Sequence, residues 1–149
     1  MIGTILVLIF LVAPLSQLIH ELGHIIPGLL FRSDHSELHL GRGKVLLSWK
    51  QKRVRVCIHL LFFQGAYSLN ERESFFSNRE KIWISAGGPL LNGLTASSLF
   101  FLSLEEGYGW FTLPFLFNLY LAVINLIPFS LKGKVSDGYR ILQALKRCK

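Results

Sequence analysis

"LIHELGHII", Leu18 to Ile26, decides how this chain is read. It places His20, Glu21 and His24 inside an apolar run from Met1 to Phe31, in which Glu21 is the one formal charge. Burying such groups costs free energy unless they are paired or coordinate a metal. Residues four apart on a helix share a face. Both imidazoles can therefore reach one ion at the ~2.0–2.1 Å of a zinc–nitrogen bond. Glu21 adjoins the first histidine, placed to act as base on water activated by that ion rather than to bind it. The bland alternative is two histidines at a helix–helix contact. Ionisable groups within an apolar span are mostly functional, which favours the metal.

The rest of the 149 residues alternates between apolar blocks and basic connections. Hydrophobic residues make up 51% of the chain and the mean hydropathy is +0.44. Charged residues make up 17%, against roughly 25% in soluble domains. Residues 82–104 and 110–131 contain no charge at all. A bilayer needs roughly 20 apolar residues per helix. The pattern predicts a mainly α membrane protein, a single domain over 1–149. Its three transmembrane helices would lie at about 2–31, 82–104 and 110–131. No Lys or Arg precedes the first run and no small-x-small site is evident. The first block is thus expected to be an uncleaved span, not a signal peptide.

Ten of the sixteen Lys and Arg lie within 32–81 and six within 132–149, whereas 105–109 holds two acids and no base. The positive-inside rule puts both basic regions in the cytoplasm, and the N-terminus and the 105–109 turn outside. That placement explains the net charge of +7 by topology. It suits anionic lipid better than nucleic acid, which is not expected as a partner. Cys57 and Cys148 would then face a reducing compartment, where a disulfide is not expected.

Between the first two blocks the apolar period becomes two. Val45, Leu47 and Trp49 alternate with Lys44, Leu46, Ser48 and Lys50, and Val54, Val56, Ile58, Leu60 and Phe62 with Arg53, Arg55, Cys57 and His59. This predicts a small cytoplasmic β-hairpin within about 36–68, turning at Gln51–Lys52. "SLNERESFFSNREK" (68–81) reads as an amphipathic approach to the membrane. Small residues crowd the second block, where they let backbones approach closely.

A catalytic zinc site needs a third protein ligand and an open fourth position. His35, His39 and His59 belong to the basic, strand-rich connection, and Glu71, Glu73 and Glu80 sit among charged neighbours. Asp137, in "SDG", follows the third block on the predicted side of the HELGH stretch. It could complete the site or merely cap the helix that follows, and spacing leaves both open. Asn92 offers an amide to a helix contact or to a substrate, equally. Gly23, Pro27 and Gly28 could loosen the wall of the site.

Three motifs in order, "HELGH" (20–24), "GGPLLN" (87–92) and "NLIP" (125–128) followed by "SDG" (136–138), resemble the site-2 protease family of intramembrane zinc metalloproteases. The resemblance spans nearly the whole chain. It implies a three-helix catalytic core, one zinc ion held by His20, His24 and Asp137, and Glu21 as catalytic base. It also implies that Asn125 helps orient substrate or supports the oxyanion. The link between the last two motifs, "FSLKGKV" (129–135), is longer than the family's usual one. The expected activity is an endopeptidase of regulated intramembrane proteolysis. Its partner would be a membrane protein or a peptide precursor, cut near the cytoplasmic face. An exposed strand edge could take an extended substrate by strand addition, or the sheet could merely cover the site, and the sequence favours neither. The small size points to a minimal bacterial or archaeal-type member of the cytoplasmic membrane, N-terminus outside and C-terminus inside. A non-catalytic metal-binding scaffold or adaptor would suit a lost glutamate, and Glu21 is present. A zinc transporter would want acids or histidines in the other two blocks, which hold none.

Overall fold

The computed structural model describes residues 2–106, 109–131 and 133–148. Helix α1 runs over Ile2–Leu30. It widens to a π turn at Leu8–Val12, where the Ala13 N–H reaches back to the Leu8 carbonyl. Pro14 follows at once, lacking an N–H and crowding the preceding turn, and the wider turn accommodates it. The helix ends where Arg32 takes φ 60°. The Ser33 N–H then bonds the Gly28 carbonyl at 2.9 Å and the Arg32 N–H bonds that of Leu29 at 3.0 Å. This pair of backward bonds satisfies the last free carbonyls.

Strands β1 (His35–Gln51) and β2 (Val54–Glu71) pair antiparallel. The expected hairpin is present, but it is longer than the reading of about 36–68, and its turn falls at Lys52–Arg53, one residue late. Gly41, Gly43 and Gly65 sit at positive φ, where β-carbon-bearing residues are strained. The strands bend there, and the start of β1 ends up between two stretches of β2. Leu38 lies opposite both Ser68 and Val56 and is fully buried. The outer stretch around Val45, Leu47 and Trp49 stays exposed.

Helix α2 (Asn78–Glu106) packs against α1, against α3 (Thr112–Leu126) and against α4 (Asp137–Lys146). It begins with a capping box: the Glu80 N–H bonds Ser77 Oγ at 3.3 Å, and the Ser77 N–H bonds Glu80 Oε2 at 2.6 Å. Arg72, at the end of β2, forks onto both Glu80 oxygens at 3.0 and 3.1 Å and donates to the Phe31 carbonyl at 2.7 Å. It joins the hairpin to the end of α1 and the start of α2. Glu80, which sits among charged neighbours in the sequence, is thus tied into a junction. A two-residue ladder, β3 (Ser130–Leu131) with β4 (Lys134–Val135), leads into α4.

The expectation of a core of three membrane-spanning helices is overturned. Among the described residues α1 alone is long and apolar enough to cross a membrane. Helix α3 has 15 residues, which at 1.5 Å each is about 22 Å, short of the ~30 Å hydrocarbon core. The apolar block at 110–131 is longer than its helix because Ile127, preceding Pro128, leaves helical geometry at ψ 122°. Helix α2 is long enough, but Gly87, Gly88, Pro89, Asn92, Gly93, Ser97 and Ser98 dilute its apolar character. Among the described residues the architecture is four helices with one large antiparallel hairpin. The centre of the turn expected at 105–109, residues 107 and 108, lies outside the described residues.

Candidate metal centre

His20 and His24 lie on successive turns of α1, with ring centroids 4.8 Å apart. His24 Nδ1 is 2.7 Å from the Ile84 carbonyl. A carbonyl only accepts, so Nδ1 carries the hydrogen and Nε2 of the neutral ring presents a lone pair. His20 Nδ1 is 2.6 Å from Asn92 Oδ1. The amide orientation follows from its other contacts. Asn92 Nδ2 donates to the Ser16 carbonyl at 3.1 Å and to Asn118 Oδ1 at 2.7 Å. Asn118 Nδ2 donates to the Pro114 carbonyl and to Ser16 Oγ, both at 2.9 Å. Asn92 Oδ1 therefore accepts from His20, whose Nε2 also presents a lone pair.

The two lone pairs meet at Asp137. Its Oδ2 is 3.1 Å from His20 Nε2 and 3.4 Å from His24 Nε2, and the nitrogens are 3.2 Å apart. All three residues are buried. Burial opposes the charge on Asp137, and only a proton or cation shared with the imidazoles of His20 and His24 would hold its carboxyl below the usual carboxylate range. Asp137 is not the helix cap. Ser136 is, its Oγ accepting from the Tyr139 N–H at 3.1 Å, which leaves the Asp137 side chain free to face the histidines. The long link before it does no harm. The Ser136 N–H bonds the Phe129 carbonyl at 3.0 Å and Ser136 Oγ donates to that of Ile127 at 2.7 Å. The intervening residues loop out as the β3–β4 ladder and return to their starting point.

Glycines set the spacing. A β-carbon on Gly88 would lie 2.5 Å from His24 Nε2 and 2.8 Å from His20 Cε1, so the "GG" of α2 makes room for both rings. Gly23 and Gly87 meet backbone to backbone, and Gly138 abuts the Leu126 carbonyl. Gly28 accommodates the Asn70 amide, whose Nδ2 bonds the His24 carbonyl at 3.1 Å. Gly23 and Gly28 are therefore close-packing points, not loosened wall.

Three acceptor atoms facing one another require a cation or a shared proton between them. A tetrahedral ion with bonds of ~2.0–2.1 Å holds its ligand atoms ~3.3 Å apart. The observed 3.1, 3.2 and 3.4 Å fit that spacing, and two neutral imidazoles with one carboxylate suit zinc. The group opens onto a cleft of about 780 Å³ lined also by Glu21, Asn125 and the 64–70 stretch of β2. Ser68 Oγ donates to Glu21 Oε2 at 2.6 Å. Asn125 donates to the Leu121 carbonyl of its own helix at 2.9 Å. Asn92 has both amide hydrogens and its oxygen engaged within the protein, so of its two readings the geometry gives the helix contact. His35, His39 and His59 cluster elsewhere, around Glu37 on the sheet.

Ser68, Asn118 and Ser136 went unread in the sequence. Asn118 left a signal, an amide deep in an apolar block, and so did Ser136, a helix-capping type before an apolar pattern. Ser68 left none, because only the bend of the hairpin brings it to α1.

Two helix-borne histidines and a distant aspartate face one point and could hold a metal ion, with Glu21 lining the same cleft. The chain belongs to peptidase family M50, the site-2 protease family, whose model matches residues 4–112. Members of that family are membrane-associated zinc metalloproteases, and membership supports a peptidase here. The match includes the HELGH and GGPLLN stretches and ends at Thr112, the first residue of α3. The approach of Asp137 rests on the tertiary structure. No curated protein matches the chain.

Proposed function

We propose that the protein is a membrane-bound zinc endopeptidase that hydrolyses a membrane-embedded or membrane-adjacent segment of another protein or peptide precursor. The observation that carries this reading is the convergence of His20 Nε2, His24 Nε2 and Asp137 Oδ2 at ligand spacing, beside a carboxylate in an open cleft. His20, His24 and Asp137 would hold one zinc ion. Bound there, zinc supplies Lewis-acid chemistry, polarising the scissile carbonyl and lowering the pKa of water toward ~7. Ser68 keeps the Glu21 carboxylate aimed by holding Oε2. Oε1 then takes the proton of the attacking water and returns it to the leaving amine. No covalent acyl-enzyme is needed. Asn125 lies in the cleft wall, suited to orient substrate. The 64–70 stretch of β2 lines the cleft as well, offering an edge to an extended chain.

Helix α1, with mean hydropathy 2.4 over its most apolar window and 17% of that window buried, would anchor the protein in the bacterial cytoplasmic membrane. The basic hairpin and C-terminus would be cytoplasmic and the N-terminus outside.

The test is the metal content of the detergent-purified protein. About one zinc per chain is expected in wild type and in Glu21→Gln, with loss in Asp137→Ala. Glu21→Gln should cleave about 10²–10⁴-fold more slowly while keeping its metal. Carefully purified wild type that takes up no metal would overturn the peptidase reading.

A further inference from the structure

The cleft carries a charge pattern that the metal centre does not require. Arg42 of β1, Lys81 of α2, Lys134 of β4, Arg140 of α4 and Arg147 just beyond it all line it. All five are exposed, and among the described residues none has a carboxylate within ion-pair distance. The carboxylates lining the same cleft are Glu21 and Asp137, engaged by Ser68 and by the two histidines. A divalent ion would make the concavity more positive still. Five cations from four separate elements, converging on one hollow, form a focused field rather than a flat basic face. Other basic residues, Lys44, Lys50 and Lys52 among them, lie along the outer hairpin away from the cleft. Those are the ones disposed to meet anionic lipid.

We propose that this basic rim selects the substrate: the segment drawn into the cleft carries acidic residues beside the bond to be cut. The proposal rests on the peptidase reading, since it assigns the occupant of the same site. Asp or Glu side chains flanking the scissile bond would pair with the rim. A basic flank would be repelled by the rim and by the metal, so discrimination comes from both attraction and repulsion.

The experiment uses zinc-loaded Glu21→Gln protein in neutral detergent, so that bound peptide is not cut. Two fluorescent probe peptides share one apolar segment, flanked by Asp residues in the first and Lys residues in the second. The Asp-flanked probe is expected to bind about tenfold more tightly at low salt, the advantage shrinking at high salt. Lys134→Ala/Arg140→Ala should abolish that advantage with zinc content unchanged. Lys50→Ala/Lys52→Ala, with the same loss of charge at the hairpin tip, should retain it. Equal binding of the two probes, or equal loss in both double variants, would overturn the proposal. So would a cleft variant that weakens binding to phosphatidylglycerol vesicles and leaves the probes unaffected, because the rim would then be a lipid contact. Zinc content separates the two failures: a zinc-loaded protein indifferent to probe charge loses the rim proposal alone, whereas a protein without zinc loses the peptidase reading.

Discussion

Asn92 is the residue on which the centre depends beyond its proposed ligands. Its oxygen fixes which nitrogen of His20 is protonated, and its amide hydrogens are held by Ser16 and Asn118. Partners of this kind typically contribute 10–100-fold to metal affinity. Asn92→Ala should weaken zinc binding by about that factor in a competitive chelator titration. Asn118→Ala should produce a smaller loss, acting through Asn92. If the two losses simply added in the double variant, the amide chain would not be a coupled unit. Gly88→Ala is harsher than its single methyl suggests. The new β-carbon would press on both imidazoles, so zinc should be lost while circular dichroism still reports the helices. Full zinc occupancy in Gly88→Ala would show that α2 can retreat.

At the scale of elements, the junctions hold the site more than the elements do. Ser136 caps α4 and clamps the link from α3, taking part in side-chain bonds to Tyr139, Phe129 and Ile127. Ser136→Ala should cost about 1 kcal/mol as a lost cap and should also lower zinc affinity, because Asp137 adjoins it. A stability loss with unchanged zinc affinity would confine Ser136 to capping. The Arg72–Glu80 fork makes a prediction about pH. Hydrogen bonds from Arg72 hold the Glu80 carboxyl down to about 2, against 4.5 for the free group. A depressed carboxylate contributes stability that is full above its unfolded pKa and lost as pH falls through its folded one. The melting temperature of wild type should therefore exceed that of Glu80→Gln near neutrality. The gap should close as pH falls from about 4.5 toward 2. A gap constant across that window would mean that the ionised carboxylate is not what stabilises the junction. The hairpin also shows where sequence reading stops. Alternation found its strands, and Gly41, Gly43 and Gly65 hinted at bends, yet nothing local foretold that 36–40 would lie between two stretches of β2.

For the whole molecule, charge-free length was read as membrane-crossing helix, and that reading failed at two blocks of three. Pro128 cut the helical part of the last block to 15 residues, and the small and polar residues of α2 serve packing against α1 and the hold on His20. Apolar surface nevertheless remains on α1 and α3, with Ile5, Leu11, Leu116 and Val123 each half exposed. The expected behaviour is that of a membrane protein: it should stay with the membrane fraction through an alkaline carbonate wash. Release into the supernatant would show that neither α1 nor the exposed apolar faces hold it in the bilayer.

By itself the sequence determined the local chemistry. Helical spacing put His20 and His24 on one face with Glu21 beside them, alternation specified the hairpin, and the basic residues collected in two stretches. Those features depend on neighbours within a few positions, where period and side-chain type suffice. Only the tertiary structure decided that Asp137 faces the histidines while Ser136 caps the helix, because that choice depends on a link folding back onto Phe129. Only it decided that Asn92 serves His20, that Ser68 reaches Glu21, and that five cations from distant elements share one cleft. Each of these joins residues distant in sequence; the metal centre depends on close approach at Gly23, Gly88 and Gly138, and the Ser68–Glu21 contact on the bend of the hairpin, neither of which a local pattern encodes.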